Sequence, residues 1–219
     1  FENCVKLQNV QFPMKVKTLG SYIFSGCTLL ENVRIPDTVR DIGERAFIYC
    51  KSLRTIVIPE GVTEIKKYTF YGCEGLVNIT IPETVKIIGL CAFDECISLV
   101  KIVLPKQMTK IDAYAFEQCT ALQKIALPEG IPAIEASSFR NCVSLQAVYI
   151  PASVKKVNSE AFRGCKSLSY VYFGGSEEMW NNIVISTDAT SSGPYSGNKC
   201  LTNSIMNRYW NQTAASIGY

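Results

Sequence analysis

Cysteine is the residue type in this sequence with the greatest capacity for metal binding or covalent chemistry. Eight of the ten cysteines recur at intervals of 23 residues, namely Cys4, Cys27, Cys50, Cys73, Cys96, Cys119, Cys142 and Cys165. None is part of a C-x-x-C pair, the close spacing that a structural zinc site requires. Equivalent positions in a parallel stack point the same way, which is poor geometry for a disulfide. We therefore expect a buried column of free thiols, with Cys91 and Cys200 as incidental free thiols outside it.

Groups for acid–base or nucleophilic catalysis are missing from the sequence. It has no histidine, so neither a Ser-His-Asp nor a Cys-His arrangement can form. Gly174-Gly175 lacks the lysine and the spacing of a phosphate-binding loop, and the scattered acidic residues make no calcium loop. Glu60 and Glu83 are equivalent in adjacent repeats, but a solvated rim is the favoured interpretation of that pair. The sequence predicts a protein that is not an enzyme and that uses no cofactor and no metal.

Charge and hydropathy exclude two further classes of partner. The 22 basic and 19 acidic residues are spread along the chain and give a net charge of +3, which provides no polybasic surface for nucleic acid or anionic membrane. No apolar run is long enough to span a bilayer. The chain starts at Phe1 inside a repeat, so we expect upstream sequence to be missing.

The 23-residue interval extends to apolar residues and defines the elements that position the cysteines. Phenylalanine occupies 1, 24, 47, 70, 93, 116, 139 and 162, and leucine occupies 7, 30, 53, 76, 99, 122, 145 and 168. No insertion or deletion interrupts this register over residues 1–173. Repeats of this length are typical of solenoids, in which each unit contacts only its neighbours.

A single repeat shows how the coil is built. Ile56 and Ile58 alternate with polar or exposed positions, which predicts a short strand with both isoleucines inward. Pro59 lacks an amide proton and ends the strand. Phe47 and Cys50 are placed to pack inward from one short helical or 3-10 turn. Because one coil cannot bury its own apolar edge, we expect a repeat solenoid with a parallel β-sheet on one face and short turns on the other.

The chain divides into two predicted parts. Residues 1–173 form a solenoid of about eight 23-residue units, by the repeat register. Residues 174–219 form a C-terminal cap, because an open stack of coils needs one. Within the cap, Ser176 begins a short helix, about residues 186–199 read as a loop, and residues 201–210 are expected to return as a strand along the sheet edge.

Two columns of side chains point outward from the predicted sheet. The first column is Asn9, Asn32, Thr55, Asn78, Lys101, Lys124, Ala147 and Tyr170. The second column is Gln11, Arg34, Val57, Thr80, Val103, Ala126, Tyr149 and Tyr172. This face is small and polar early, basic in the middle and aromatic late.

This outward face holds the candidate ligand-binding residues, which are Tyr149, Tyr170, Tyr172, Lys101, Lys124 and Arg34. The three tyrosines form either an aromatic hot spot for a protein or a stacking platform for a sugar, or they pack across strands to shield the last coil. The lysines either meet an acidic partner or serve solubility and edge protection, and we favour the second interpretation.

The repeat pattern resembles the BspA-like class of leucine-rich repeats. The pattern C-x-x-L-x-x-I-x-I-P is read in Cys50–Pro59 and ends at Thr69-Phe70, where the class usually has Ala-Phe. The tail Phe173–Trp180 is similar to the Y-G-G-T/S-E-E-x-W ending of these proteins. The resemblance covers residues 1–173, about four fifths of the chain.

The resemblance implies a right-handed leucine-rich-repeat coil in a secreted or cell-surface bacterial protein. It also implies adhesion or the binding of a host or bacterial surface protein, and it brings no catalytic motif to transfer. We therefore expect a non-catalytic, adhesion-type protein-binding module that uses the exposed sheet face. The alternatives are a structural spacer or stalk in a larger surface protein, and carbohydrate binding through the tyrosines.

Overall fold

The computed structural model describes residues 1–186, 198–202 and 206–218. Most of the loop predicted for about residues 186–199 lies outside these ranges. Within the described ranges, the helices are too short and too polar to cross a membrane.

A main row of parallel strands forms one face of a solenoid. Its members are β1 (Asn9–Val10), β3 (Asn32–Val33), β5 (Thr55–Val57), β7 (Asn78–Thr80), β10 (Lys124–Ala126), β12 (Ala147–Ile150), β14 (Tyr170–Phe173) and β16 (Asn207–Tyr209). In the coil after β7, Ile102 and Leu104 are buried as they would be in a strand, but the segment is not a β-strand. The row is therefore two four-stranded sheets, and Ile56 pairs with Ile79 in the first and Tyr149 with Tyr172 in the second.

A second row of two-residue strands follows the bend after the main row. It contains β2 (Thr18–Leu19), β4 (Asp41–Ile42), β6 (Glu64–Ile65), β8 (Ile87–Ile88), β9 (Lys110–Ile111), β11 (Ala133–Ile134), β13 (Lys156–Val157) and β15 (Val184–Ile185). The strands of this row from β2 to β13 each bury their second residue, Ile185 of β15 is half-buried, and all their pairings are parallel. The predicted parallel-strand solenoid of leucine-rich-repeat type is confirmed.

The segments opposite the main row are turns rather than continuous helices. The N–H of Cys50 donates to the carbonyl of Phe47, the i to i+3 spacing of a 3-10 turn. Arg45 and Tyr49 have φ values of 56° and 59°, so left-handed residues interrupt the run on both sides. Alternate N–H groups of this segment donate to the next coil, as from Arg45 to Lys67 at 3.2 Å and from Phe47 to Thr69 at 2.9 Å.

Stacked phenylalanines fill the centre of the solenoid. Adjacent rings from Phe1 to Phe162 have centroids 5.3 to 5.6 Å apart and lie within 19° of parallel. Offset stacking at this separation is favourable for aromatic pairs. The leucine and isoleucine columns surround this stack and are buried from Leu30 onward, except that Ile81 is half-buried. The inward orientation predicted for these columns is confirmed.

The cysteine column is a ladder of thiol hydrogen bonds. Each Sγ from Cys27 to Cys165 donates to the carbonyl of the phenylalanine 26 residues earlier, at 3.0 to 3.2 Å. Burial raises the pKa of these thiols, that of Cys96 well above its usual value. The expected free, buried thiols are confirmed from Cys27 onward, whereas Cys4 is exposed.

Cys200 continues this ladder, although its position in the sequence falls outside the 23-residue register. Its Sγ donates to the carbonyl of Phe162 at 3.6 Å, and the side chain is buried. The placement of Cys200 outside the column was therefore wrong, whereas its free state is confirmed, as is that of Cys91. The chain from Cys165 to Cys200 is longer than one repeat, which hides the equivalence from a periodicity analysis.

The end of the stack is closed by residues that follow the last regular repeat. The hydroxyl of Ser176 accepts the N–H of Met179 and begins α1 (Glu177–Asn181), as predicted, and Trp180 of this helix packs on Phe173. The predicted return strand is shorter than expected: among the described residues of 201–210, which leave out 203–205, only β16 pairs, in parallel with β14, and Leu201 lies in α2 (Lys199–Thr202). We propose that these elements are the C-terminal cap predicted for residues 174–219.

At this end of the stack, the side chain of Asn198 makes hydrogen bonds that a further coil would make elsewhere. Its Oδ1 accepts the N–H of Phe162 at 3.1 Å, and its Nδ2 donates to the carbonyls of Asn158 and Ser186 at 2.6 and 2.8 Å. The buried amide thus satisfies backbone groups that a further coil would otherwise satisfy.

The thiol ladder makes a prediction about chemical reactivity. In the native protein we expect Ellman's reagent to modify Cys4 rapidly and the other thiols slowly, because burial keeps them protonated and inaccessible. All ten cysteines of the sequence should react in guanidinium chloride. A Cys4→Ser variant is the control and should lose the rapid phase, whereas a rapid native reaction of several thiols would contradict the ladder.

Candidate functional site

The outward face of the main row contains five of the six predicted binding residues as accessible side chains. Arg34, Lys101 and Lys124 are exposed, Tyr170 is 41% exposed, and Tyr172 is half-buried. Arg34 lies six coils from Tyr172 in the same column, which is about 29 Å at the usual strand spacing of about 4.8 Å. The structure therefore brings the tyrosines and Lys124 into one neighbourhood and leaves Arg34 outside it.

Tyr149 is buried, with 2% of its surface exposed. Its hydroxyl donates to the carboxylate of Glu129, and burial together with this bond raises the pKa of the phenol. A 3-10 helix, Ala214–Ile217, covers its ring on the outward face, so that Ile217, Ala147 and Tyr149 form a small apolar cluster. Tyr149 is therefore packed inside the molecule, and the prediction of Tyr149 as an accessible binding residue was wrong. The segment that covers it lies outside the repeat register, so periodicity could not predict the contact.

Tyr209 takes a place on the accessible face that periodicity did not predict. Strand β16 pairs with β14 so that Tyr209 lies beside Tyr172, and the two rings stack with centroids 5.0 Å apart and 14° between their planes. The ring centroid of Tyr170 lies 6.5 Å from the centroids of both other rings, and Tyr209 is 42% exposed. We call Tyr170, Tyr172 and Tyr209 the tyrosine patch.

Within the tyrosine patch, the phenol of Tyr172 is protonated at neutral pH. Burial raises the pKa of Tyr172 above its usual value, and the neighbouring phenols of Tyr209 and Tyr170 raise it further. One ring face of Tyr172 and one of Tyr209 cover each other, so the patch offers ring edges, hydroxyls and its remaining faces to a ligand. Such a surface combines apolar area with hydrogen-bonding groups, as protein-binding hot spots do.

The two lysines adjoin the C-terminal segment rather than forming a separate basic site. The Nζ of Lys124 donates to the carbonyl of Ile217 at 3.3 Å. Lys101 and Lys124 line a shallow depression together with Val100, Gln123 and Gly218. The lysines therefore border both the C-terminal segment and the outward face.

A group of carboxyls lies on the turns opposite the sheet. Asp94 is 7% exposed, and its Oδ1 has no hydrogen-bond partner among the described residues. Burial raises the pKa of Asp94 to about 7, the charges of Glu117 and Glu95 raise it as well, and the guanidinium of Arg140 lowers it. In the described part of the chain, no three His, Cys, Asp or Glu side chains are placed to hold a metal ion. The burial of the ionised Asp94 carboxyl is therefore a local cost to stability.

The raised pKa of Asp94 predicts a dependence of stability on pH. The unfolded carboxyl ionises near pH 3.8 and the folded one near pH 7, so stability falls as the pH rises through this interval. We expect Asp94→Asn to raise the melting temperature more at about pH 8 than at about pH 4, because the amide carries no ionisation cost. Thermal denaturation of both proteins at the two pH values measures this, and an equal difference at both would contradict it.

Comparison with known proteins identifies relatives that share the repeat. The family model of the BspA type leucine rich repeat region matches residues 1–120 and 41–169, in six copies. A search of curated proteins gave no match.

Solved structures of bacterial leucine-rich-repeat proteins are similar to this chain. A protein from Bacteroides ovatus has 31% identity and a TM-score of 0.73, over 76% of this chain and 47% of that one. A T. pallidum leucine-rich-repeat protein has 31% identity and a TM-score of 0.68, over 73% of this chain and 77% of that one. A leucine-rich cell surface protein from Faecalibacterium prausnitzii has 27% identity and a TM-score of 0.59, over 88% of this chain and 65% of that one. The chain thus spans about half the length of the first of these relatives.

Proposed function

Because this chain belongs to the BspA-type leucine-rich-repeat family, we propose that it is a non-catalytic module that binds another protein through the outward face of its sheet. The observation that carries the proposal is the tyrosine patch, where three aromatic side chains from two adjacent strands meet on one surface. Tyrosine supplies a large contact area at a low cost in side-chain entropy. The stacked coils hold the backbone of the patch in place, so little conformational entropy is lost when a partner binds.

We place the module at the cell surface or outside the cell, with a host or bacterial surface protein as its ligand. The F. prausnitzii relative is described as a cell surface protein, which supports this location. Adhesion is the form of binding that suits a rigid, repeated face. The partners of the whole protein are also proposals, since the chain spans 47% of the B. ovatus relative and 65% of the F. prausnitzii one.

Two other functions make different predictions. Carbohydrate stacking needs open ring faces, and the mutual contact of Tyr172 and Tyr209 removes one face from each ring. A spacer or stalk needs no ligand on the outward face at all. Protein binding is therefore our first choice, and patch-dependent binding on a glycan array would favour the carbohydrate alternative.

The tyrosine patch gives a direct test. The immobilised protein is used to capture partners from surface-protein fractions of bacteria and of host cells, and the affinity of each captured protein is then measured. We expect the combined change of Tyr170, Tyr172 and Tyr209 to alanine to weaken binding by at least about thirtyfold, because aromatic hot spots carry most of the binding free energy.

A matched control uses three tyrosines on the turns away from the sheet. Tyr22, Tyr49 and Tyr114 are each between 37% and 42% exposed, close to the exposure of Tyr170 and Tyr209. Their combined replacement by alanine should leave the affinity unchanged. Equal losses in both triple variants, or no loss in the patch variant, would count against the proposal.

A further inference from the structure

The segment formed by residues 211–218, which we call the strap, crosses the outward face beside the tyrosine patch. Its base is held by the N–H groups of Asn211 and Gln212, which donate to the carbonyls of Gly175 and Phe173, both at 2.9 Å. The 3-10 helix Ala214–Ile217 follows, with a capping box between Thr213 and Ser216. The strap therefore reaches the sheet as a preformed turn.

The sheet beneath the strap has a depression that fits one aliphatic side chain. We call Ala126, Ala147 and Tyr149 the socket, and Ile217 fills it with 4% of its surface exposed. Ala147 stands in a column that otherwise holds asparagine, threonine, lysine or tyrosine, and it is the smallest side chain of that column. Ala126 on β10 lies beside Tyr149, and Ala147 on β12 lies beside Lys124, so the two alanines are diagonal neighbours and their small side chains leave the volume that Ile217 takes.

A polar contact accompanies the apolar one. The Nζ of Lys124 donates to the carbonyl of Ile217 at 3.3 Å, so the socket recognises both the side chain and the backbone of the same residue. This pairing of an apolar anchor with a convergent polar group is the usual composition of a peptide-binding site.

The strap is held in place by few contacts. Ile217 is its buried side chain, whereas Thr213, Ala215, Ser216 and Gly218 are exposed. The sheet below the strap does not need it to form, because β12 pairs with β10 on one side and with β14 on the other. The strap can thus open locally while the solenoid stays folded.

We propose that the socket is a binding site for an aliphatic side chain of a partner peptide, and that the strap occupies it as an intramolecular competitor. This rests on the proposed use of the outward face for protein binding. The ligand chemistry follows the strap itself: a short turn with one isoleucine-like side chain flanked by small uncharged residues, its carbonyl accepting from Lys124. Tyr172 borders the same apolar cluster, so a partner on the tyrosine patch also meets the strap.

The experiment supplies the strap sequence from outside. A synthetic peptide with the sequence of residues 211–218 is titrated into the full chain and into its Ile217→Ser variant, and the amide signals of Lys124, Ala147 and Tyr149 are followed by NMR. We expect the variant to bind the peptide about thirtyfold more tightly than the unchanged protein, which corresponds to about 2 kcal/mol. The difference arises because the unchanged strap leaves only a small fraction of sockets open.

Three controls make the result specific. A peptide with serine in place of isoleucine should not bind. A second substitution, Ala147→Leu, fills the socket and should abolish peptide binding by the Ile217→Ser variant, whereas Asn78→Leu at an equivalent position three coils away should not. Melting temperatures close to that of the unchanged protein verify that each variant is folded.

Several outcomes would overturn the proposal. One is equal peptide affinity for the unchanged protein and the Ile217→Ser variant, and another is peptide binding that Ala147→Leu leaves intact. A dimer of the unchanged protein that dissociates in the Ile217→Ser variant would mean that the socket exchanges straps between two copies. The peptide titration needs no natural partner, so its failure is separate from a failure of the tyrosine-patch variants to lose a captured protein.

Discussion

Every coil of this protein depends on the next one to satisfy its backbone and to cover its apolar edge. Phe47 shows the requirement in one residue: its ring stacks between those of Phe24 and Phe70, its N–H donates to Thr69, and its carbonyl accepts the thiol of Cys73. These contacts all cross between coils, so the turn bonds inside a coil, such as that from Cys50 to Phe47, do not by themselves bury its apolar edge. The constant interval of 23 residues keeps the contacts in line along the stack.

The same constraint explains why cysteine and left-handed residues recur. A thiol is small and apolar enough for a full core and still donates a hydrogen bond, which alanine does not. Tyr22 and Tyr68 have φ values of 60° and 58°, a region that is costly for residues other than glycine. Hydrogen bonds from both residues to the following coil stabilise this conformation, at 3.0 and 2.9 Å. Positions that read as variable in the sequence are thus fixed by the stacking.

Side chains on the outward face do not take part in the contacts between coils that bury the core. They can therefore vary from coil to coil and determine which partner this face binds. Asn78, Lys101 and Tyr170 are equivalent residues of different coils, and all three are exposed, so their side chains can differ without disturbing the core. Where the strap packs on this face, the covered side chains are apolar or aromatic, as at Ala147 and Tyr149. The chain that follows the last repeat contributes both the strap and Tyr209, the third tyrosine of the patch, to this face.

The sequence by itself determined the period, the parallel stack, the inward columns and the unbridged thiols, because each depends on contacts between residues 23 positions apart. Only the tertiary structure decided that Tyr149 is covered, that Tyr209 joins Tyr172, and that Cys200 extends the ladder. These three outcomes depend on where the chain returns after residue 173, where the interval is no longer constant. A periodic pattern has no information about a segment that leaves the period, and its position follows from the particular surface on which it packs.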